Sequence, residues 1–489
     1  MYGKNKVDIT VFAIIVRERK WEFMDKFNQF ADKYLLPIAN KIGTQRHIQA
    51  IKDGMTVAIP LSILGGMCLI VATPPFTAEQ VSGEGIISKL LLGWYTWAKA
   101  NGDALKLPFN MTMGLMGLFI VFSIAYSLAK HYKVPELNAS VISTAVFLLV
   151  SAPTTKAVTS SLIVDGAAAA DLLSKQGNFL STSFLDANGI FTAIIVGIGC
   201  VEIMHFLLKK DIRFKMPDGV PPAIASSFDS IIPLFTCVAV FYSASLIVQN
   251  LSGELIPKMI MTVLAPAMSG LDSLVGICMI VIIAQVFWFF GLHGASITQF
   301  VRLPFMQMYL MNNIAAYEAG QPIVHFFTQP FWSYIINLGG GGATLSLCFL
   351  LARSKSVQLK QLGRLGIGPA IFNINEPIIF GLPLVLNPIM MIPFIFVPVV
   401  NSIIAYVCMA TGIVGKGIIE TPWTTPAPIG AALGCMDIKA GIMVCGLIVL
   451  DVFMYYPFFK LLERQKLEEE SGSSEEEDNL LDKDIFTTA

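Results

Sequence analysis

Residues 384–408 read LVLNPIMMIPFIFVPVVNSIIAYVC, a run without one charged side chain. A helix needs about 20 predominantly apolar residues to cross a bilayer, so this run predicts a transmembrane helix. The rest of the 489-residue chain has the same character, because 55% of its residues are hydrophobic and only 14% are charged. Soluble domains carry about 25% charged residues. The sequence therefore predicts an all-α polytopic membrane protein, and its net charge of −1 argues against nucleic acid as a partner.

Other apolar stretches qualify or nearly qualify as crossings of the same kind. They are 55–76, 107–129, 137–153, 189–208, 228–249, 273–290, 331–352 and 439–459. Clusters of Lys and Arg mark cytoplasmic loops, and the clusters at 209–215 and 353–364 are both expected to be cytoplasmic. An odd number of stretches lies between them, so a further crossing is expected within 251–330, and its best candidate contains residues 291–310. About ten crossings, with both termini cytoplasmic, satisfy this charge pattern.

The segments on either side of the 384–408 helix have the wrong composition for ordinary crossings. Residues 366–383 (GIGPAIFNINEPIIFGLP) and 415–434 (GKGIIETPWTTPAPIGAALG) are rich in Gly, Pro and polar groups. Irregular backbone survives at membrane depth only where protein buries it or water lines it. Both segments are therefore predicted to be re-entrant hairpins beside a substrate cavity. The four glycines at 339–342 are expected to permit close backbone approach or a hinge.

Composition also divides the chain into parts. Residues 1–23 are an N-terminal extension, and residues 24–54 alternate apolar and charged residues at helical spacing, which predicts an amphipathic helix on the cytoplasmic membrane surface. Its lipid-facing residues are expected to be Phe27, Phe30, Tyr34, Leu35 and Ile38. Residues 55–250 predict an N-terminal transmembrane domain for packing or dimerisation, and 251–465 a C-terminal transport domain with the irregular segments. Residues 466–489 form an acidic, serine-rich tail that is expected to be disordered.

Two ionisable residues lie inside apolar segments, where a charge is costly and points to function. His293 stands between two glycines in WFFGLHGAS, and Glu376 stands in NINEPIIFGLP. The proline that follows Glu376 pushes it out of the helical region, so the carboxylate and Asn375 are expected on irregular backbone. Carboxylates and amides are groups that bind sugar hydroxyls. The alternatives are that Glu376 satisfies free backbone amides or pairs with Arg302 or Arg364, and that His293 only packs.

Trp423 stands in TPWTTPAP, where prolines restrict the backbone on both sides. Its flat face suits stacking on the apolar face of a sugar ring, and the alternative is a place in the interfacial aromatic belt. The residues alone do not rank these two interpretations. Glu420 and Asp437 flank the segment and are expected at its wet ends. Asp451 lies near the end of an apolar segment and is expected to be solvated or to cap a helix.

Several motifs that carry enzyme chemistry are missing from the chain. No G-x-x-x-x-G-K-[ST] loop occurs, so no ATP binding through a P-loop is expected, and no H-E-x-x-H or G-x-S-x-G motif supports a protease or hydrolase. None of the eight cysteines forms a C-x-x-C pair, so neither a zinc site nor a disulfide framework is indicated. No cofactor and no metal are therefore expected, and transport would need an energy source outside this chain.

Three segments together resemble a known family. FFGLHGAS (289–296), NINEPIIFGLPLVLNP (373–388) and ETPWTTPAPIGAAL (420–433) are similar to the membrane-embedded IIC components of bacterial phosphoenolpyruvate-dependent sugar phosphotransferase systems. The lactose/cellobiose/diacetylchitobiose branch is the most similar one, and the start of the 24–54 segment resembles that branch too. The resemblance extends over about residues 24–465.

This resemblance implies ten transmembrane helices with two re-entrant hairpins, a homodimer formed through the first five helices, and a place in the bacterial cytoplasmic membrane. It implies that a disaccharide enters from outside and that its binding domain crosses as a rigid body, in an elevator-like motion. A separate IIB protein with a phosphocysteine, served by IIA, would then phosphorylate the sugar, so the chain would be one component of a multi-protein phosphotransferase. Glu376 and His293 would hold the reacting hydroxyl, Asn375 would add a polar contact, and Trp423 would stack on the ring.

Other functions stay open at this point. A proton- or sodium-coupled sugar symporter would use Glu376 and His293 as proton carriers, and a membrane sensor would bind sugar without moving it. These functions differ in the fate of the sugar, which is phosphorylated inside, unmodified inside or not moved. The basic stretch 353–364 is a candidate docking surface for the phosphoryl donor, or an ordinary positive-inside loop.

Overall fold

The computed structural model describes residues 36–486 and Lys33, with gaps. The positions outside the description within that range are 75, 77, 80, 84, 153, 156–178, 218, 219, 383, 385, 386 and 388. The extension 1–23 and most of the lipid-facing set expected in 24–54 therefore lie outside the described residues. The regular secondary structure of the described residues is helical, apart from one antiparallel pair of two-residue strands, β1 (Thr154–Thr155) and β2 (Phe179–Leu180).

The α-helices of the first half are α1 (Leu36–Thr44), α2 (Arg46–Thr56), α3 (Ala58–Ala72), α4 (Ile86–Ala100), α5 (Gly102–Thr112), α6 (Met116–Tyr132), α7 (Glu136–Ser151), α8 (Ile190–Lys209), α9 (Pro222–Asp229) and α10 (Ile231–Ser252). Most of them, all except α1, α4 and α9, contribute to one buried apolar core. Small residues let neighbouring backbones approach, and a β-carbon on Gly54 of α2 would lie 2.3 Å from the side chain of Ile124 on α6. Close approach of this kind holds helices together in lipid, where the hydrophobic effect gives little driving force.

The helices of the second half surround a separate, aromatic-rich core that includes Trp288, Tyr309 and Tyr334. They are α11 (Ile256–Leu271), α12 (Leu274–Phe289), α13 (Gly294–Glu318), α14 (Gln329–Phe331), α15 (Leu345–Leu351), α16 (Val357–Ile371), α17 (Glu376–Gly381), α18 (Met391–Ala410), α19 (Ala427–Gly434) and α20 (Ile438–Phe486). Four of these elements, α14, α15, α17 and α19, have eight residues or fewer, because Gly and Pro interrupt the chain there. The irregular segments of the sequence are therefore irregular in the fold.

One helix, α13, contacts both cores. Leu303 and Leu310 pack into the core of the first half, whereas Phe305 and Tyr309 on the same helix belong to the core of the second half. The helix therefore lies along the contact between the two halves. The domain boundary at 250/251 stays a prediction. Helix α13 follows this boundary in the sequence but packs against both halves.

Six helical stretches among the described residues are long and apolar enough to cross a membrane. They are Arg46–Ala72, Gly102–Tyr132, Ala187–Lys209, Ser226–Ser252, Met391–Ala410 and Ile438–Ser471. Two bent pairs raise the number to eight if each crosses as one unit, namely α11 with α12, bent by 76°, and Gln329–Ala343 with α15, bent by 44°. The described chain is thus a helical protein with several membrane-spanning segments. Ten crossings, two hairpins and cytoplasmic termini stay predictions.

The glycine run, which is expected to permit close backbone approach or a hinge, interrupts the crossing predicted over 331–352. After α14 the chain passes through a π-helical turn, and a regular helix resumes only at Leu345. Gly339, Gly340 and Gly342 have φ angles of +78°, +100° and +78°, a region that residues with a β-carbon rarely occupy. The break and the close contacts of Gly339 and Gly340 agree with the expected close backbone approach, and the 44° bend agrees with a hinge.

The last helix, α20, continues to Phe486, through the acidic segment that the sequence predicts as disordered. Side-chain pairs one turn apart stabilise the start of this segment, with Arg464 and Glu468 at 3.0 Å and Lys466 and Glu469 at 2.7 Å. Each such pair adds about 0.3–0.5 kcal/mol to a helix. A prediction from composition misses them because it counts charges and ignores their spacing.

Candidate functional site

A cavity lined by both polar and apolar side chains opens beside α13, with a volume of about 890 Å³ including its open mouth. Its wall brings together His293, Asn375, Glu376 and Trp423, which come from three separate segments of the sequence. Ile59 of α3 also lines it, so the cavity touches both halves of the molecule. The four residues singled out from the sequence therefore line the same cavity.

His293 lies at the N-cap of α13, between two glycines that the local geometry requires. Gly291 has a φ of +75°, and a β-carbon on Gly294 would lie 1.8 Å from a carbonyl oxygen of α12. The Nδ1 atom of His293 accepts a hydrogen bond from the Ser296 amide at 3.1 Å, and the imidazole centroid lies 4.2 Å from that of Trp288. Because Nδ1 accepts, the neutral ring carries its proton on Nε2, which leaves one donor for a ligand.

Asn375 holds the glycine run in place. Its Nδ2 donates to the Gly341 carbonyl at 2.6 Å and to the Thr344 hydroxyl at 3.1 Å, and the residue is buried. A β-carbon on Gly340 would lie 2.5 Å from the Oδ1 atom of Asn375, so the two segments are in close contact. Both amide hydrogens are therefore occupied, and the amide oxygen is the part that remains for a ligand.

Asn373 is a further residue of the site that is not predicted from the sequence. It connects its own irregular segment with the glycine run and with the segment that carries Trp423. Its Oδ1 accepts a hydrogen bond from the Gly339 amide at 3.1 Å, while its Nδ2 donates to the carbonyls of Trp423 at 2.7 Å and Thr425 at 3.0 Å. Its φ of +61° is left-handed, a conformation that asparagine tolerates better than most residues. The one sequence signal is its position two residues before Asn375, in a segment already expected to be irregular.

Glu376 is the first residue of α17, and its side chain is exposed on the cavity wall. Within the described chain its carboxylate forms no ion pair and accepts no backbone amide. Arg302 instead lies over the Trp332 ring, with 3.9 Å between the guanidinium carbon and the ring centroid, and Arg364 is exposed on α16. The pairing alternatives from the sequence are therefore not observed. An unpaired carboxylate can accept hydrogen bonds from the hydroxyl groups of a ligand.

Trp423 lies in a turn before α19, and 48% of its surface is exposed. The backbone around it is held in place, because Asn373 donates to its carbonyl and the Tyr334 hydroxyl donates to the Pro422 carbonyl at 2.8 Å. A half-exposed indole on a fixed backbone presents a flat apolar face to the cavity. This position suits the stacking interpretation of Trp423.

Arg302 and Trp332 complete the wall on the side of α13. Arg302 is only 6% exposed. A cation within an apolar segment is a signal of function that the sequence does offer. From the sequence, Arg302 is expected only as a possible partner of Glu376, and its place in the cavity becomes visible only in the fold.

Two carboxylates that the sequence predicts as solvated are buried. Glu420 is 2% exposed and accepts a hydrogen bond from Gln307 on α13 at 2.8 Å. Asp451 is fully buried within α20 and accepts one from Asn401 on α18 at 3.0 Å. The expectation is wrong for both residues, because other helices supply the polar partners that make their burial tolerable.

The described residues offer no ready metal site. No group of three or more His, Cys, Asp or Glu side chains lies close enough together there to hold an ion. The cavity wall itself contributes one imidazole and one carboxylate, whereas zinc sites usually have three or four protein ligands. The wall is therefore suited to hydrogen bonding and stacking.

The fold and the cavity define a class of protein. The membrane-spanning helices are combined with irregular segments that are rich in glycine and proline. These segments line a cavity with several polar side chains, which lies at the contact between the two helical halves. Irregular backbone around a cavity within a membrane is typical of transporters for small polar solutes. The molecule is therefore a transporter by architecture.

Comparison with known proteins then gives the family. Residues 52–398 match the family described as Phosphotransferase system, EIIC. The chain is 37% identical over 454 residues to the lichenan permease IIC component of Bacillus subtilis, covering 92% of this chain and 96% of the relative. It is 36% identical over 461 residues to the cellobiose-specific EIIC component of Geobacillus stearothermophilus, covering 92% and 97%. This chain belongs to the phosphotransferase system EIIC family, whose members are integral membrane components of sugar transport.

A solved structure agrees with this assignment. The crystal structure of ChbC, the IIC component from the N,N'-diacetylchitobiose-specific phosphotransferase system, matches the present fold with a TM-score of 0.80 and 34% sequence identity. The match covers 91% of this chain and 99% of that one. The family resemblance stated from the three sequence segments is therefore confirmed.

Proposed function

We propose that this protein binds a β-linked disaccharide of the cellobiose, diacetylchitobiose or lactose type and carries it across the membrane for phosphorylation by phospho-IIB. The single observation that carries the proposal is that Glu376, His293 and Trp423, from three separate segments, line one cavity. The names of the relatives support the sugar class, since one is cellobiose-specific and the solved structure belongs to a diacetylchitobiose system.

The chemistry of the wall suits a sugar hydroxyl that must be activated. The unpaired carboxylate of Glu376 accepts the hydroxyl proton, and the Nε2 atom of His293 donates a hydrogen bond to the same group. Trp423 stacks on the apolar face of a sugar ring, which fixes the orientation of the ring. Asn375 contributes its free amide oxygen, while its amide hydrogens hold the glycine run.

Transport and phosphorylation are divided between this chain and its partners. The sugar enters from outside, and the second half carries the cavity toward the cytoplasm in an elevator-like motion. A phosphocysteine on IIB, recharged by IIA, then gives its phosphoryl group to the sugar. Each half has an apolar core of its own, which supports a rigid-body motion, although the side chains that α13 places in the core of the first half have to leave it. The stretch 353–364 is the proposed docking surface for IIB, and the first half is the proposed contact of a homodimer.

The proposal predicts the product that accumulates in vesicles. Membrane vesicles that hold the full chain, phosphoenolpyruvate and the phosphorelay proteins are supplied with labelled cellobiose or diacetylchitobiose outside. Sugar phosphate is expected inside, and it should disappear when IIB is omitted. Glu376→Gln should lower its formation by about 100-fold or more, because general acid–base catalysis contributes about 10²–10⁴-fold.

The matched control is Glu254→Gln, which removes an exposed carboxylate outside the cavity. Among the described residues this carboxylate forms an ion pair with Lys258, one turn away. This variant should transport at the normal rate. If free sugar accumulated in proportion to the proton or sodium gradient, the symporter alternative would replace this proposal. If Glu376→Gln and Glu254→Gln behaved alike, Glu376 would have no role in the reaction.

A further inference from the structure

Arg302 is the buried cation of the cavity wall. Its guanidinium lies over the ring of Trp332, and one terminal nitrogen donates to the Ala295 carbonyl at 3.3 Å. The other terminal nitrogen has only a weak contact with the sulfur of Met306 at 3.6 Å, and its Nε is buried without a partner. The ring and the backbone bond hold the guanidinium in place, and most of its five N–H donors stay unused.

No carboxylate neutralises this cation within the described part of the chain. The three buried acids among the described residues of the second half are occupied elsewhere, Glu420 by Gln307, Asp451 by Asn401 and Glu463 by Lys460. An unpaired charge in an apolar surrounding is strongly unfavourable. The free disaccharide is neutral, so it brings no counter-charge to Arg302. A guanidinium kept in this position is therefore explained best by a negatively charged ligand that enters the cavity.

We propose that Arg302, held over Trp332, binds the phosphoryl group during its transfer to the sugar and holds the phosphate of the product. This inference rests on the proposed function, because only the phosphorylated sugar brings a negative charge into the cavity. In the transfer, the bond between phosphorus and the cysteine sulfur of IIB breaks, and its electron pair stays on the sulfur as a thiolate. A bond forms between phosphorus and the sugar hydroxyl oxygen, and the hydroxyl proton passes to the carboxylate of Glu376.

The side-chain chemistry fits this role. A guanidinium offers two parallel N–H donors that match two phosphate oxygens, and it keeps its charge when it is buried. The phosphoryl group would otherwise meet Glu376 in a medium of low dielectric constant, where like charges repel strongly. A cation already fixed near the reacting atoms stabilises the charge that develops in transfer without reorganisation. Arg302 and Glu376 line the same cavity, which satisfies this requirement.

The test compares two ligands on one protein. The full chain in lipid nanodiscs is titrated with labelled disaccharide and with the phosphorylated form of the same disaccharide. Arg302→Gln should weaken binding of the phosphorylated form tenfold or more, while the affinity for the free disaccharide changes less than threefold. Arg302→Lys, which keeps the charge but loses the fork of donors, should give an intermediate loss. Arg464→Gln removes an arginine that is 81% exposed on α20 and should change neither affinity.

Each outcome of this titration either supports or overturns the proposed role of Arg302. Equal losses for both ligands, or no loss for either, would overturn the proposal and make Arg302 a scaffold residue. If Arg302→Gln did not fold, Arg302→Met would replace it, because methionine keeps the apolar contact with Trp332. Failure of the proposed function would look different, because the vesicles of the transport experiment would then contain free sugar or none, whatever Arg302→Gln does to the binding of the phosphorylated form.

Discussion

Asn375 uses both of its amide hydrogens to hold the glycine run, whereas Glu376, the next residue, points an unpaired carboxylate into the cavity. Asn373 is likewise occupied at both ends of its amide. A polar group that already has its partners contributes shape, and one without partners is available for recognition. Substitution of the two asparagines should therefore act on stability, and substitution of Glu376 on ligand binding and transfer.

Trp423 gives a prediction at the same scale. Trp423→Ala should weaken disaccharide binding by about tenfold, which corresponds to about 1.4 kcal/mol, because the flat apolar face is lost. Trp423→Phe should lose less, since an aromatic face remains. The measurement is a titration of labelled disaccharide against the protein in nanodiscs.

The matched control is Trp97, which is 49% exposed on α4, close to the 48% of Trp423, and does not line the cavity. Trp97→Ala should leave the affinity unchanged. Similar losses for the two alanine variants would mean that Trp423 acts through the fold and not through stacking.

At the scale of elements, the glycine run is where several helices meet. The Gly342 amide donates to Gln285 of α12 at 2.9 Å, and the Gly342 carbonyl accepts from the Tyr455 hydroxyl of α20 at 2.5 Å. Asn373 and Asn375 hold the neighbouring glycines from the segment that carries Glu376. The break in the helix therefore provides backbone groups that tie the cavity wall to the surrounding helices.

Gly342→Ala tests this junction. A β-carbon there would lie 2.4 Å from the Phe394 ring, at a φ of +78°. The left-handed backbone costs about 1–3 kcal/mol for a residue with a side chain, and overpacking adds about 1–3 kcal/mol. The measurement heats the purified protein and finds the temperature at which half of it no longer elutes as a single species. This temperature should fall clearly.

Gly412→Ala is the control, because its φ is +75° but no atom lies within 4 Å of the added carbon. It should show only the smaller effect of the backbone. Equal shifts for both variants would mean that the contact with Phe394 does not matter.

At the scale of the whole molecule, the cavity lies where the two halves meet. Ile59 of the first half lines it together with residues of α13, and the Nε2 atom of Gln299 on α13 lies 3.4 Å from the Oγ1 atom of Thr56 on α2. If the second half carries the sugar across, contacts of this kind have to break in each cycle. Each half can keep most of its own core during that motion, but Leu303 and Leu310 of α13 have to leave the core of the first half.

A cross-link tests the proposed motion. Cysteines at Thr56 and Gln299, joined by a short thiol-reactive reagent, should abolish sugar accumulation in vesicles and leave disaccharide binding intact. Each single cysteine variant, treated with the same reagent, is the control for the native cysteines and should keep its transport. Full transport by the cross-linked protein would rule out movement of α13 relative to α2.

Much of the fold is predictable because hydropathy is a local property. The apolar stretches and their Gly and Pro interruptions mark most helices close to where they lie, although the helix predicted from Leu384 begins only at Met391. Among the helices that escape prediction are α4 and α11. Their segments carry Lys89 and Lys258 and several polar residues, which lowers the apolar signal over the length of a crossing.

The sequence by itself determined the membrane class, the irregular segments, the family resemblance and the four residues that meet at the cavity. Only the tertiary structure decided which polar groups are buried and which are unpaired. Glu420 is buried because Gln307, far away in the chain, bonds it, and Arg302 faces the cavity without a carboxylate. The physical reason is that the free energy of a buried polar group depends on its partners, and distant segments supply those partners only after the chain has folded.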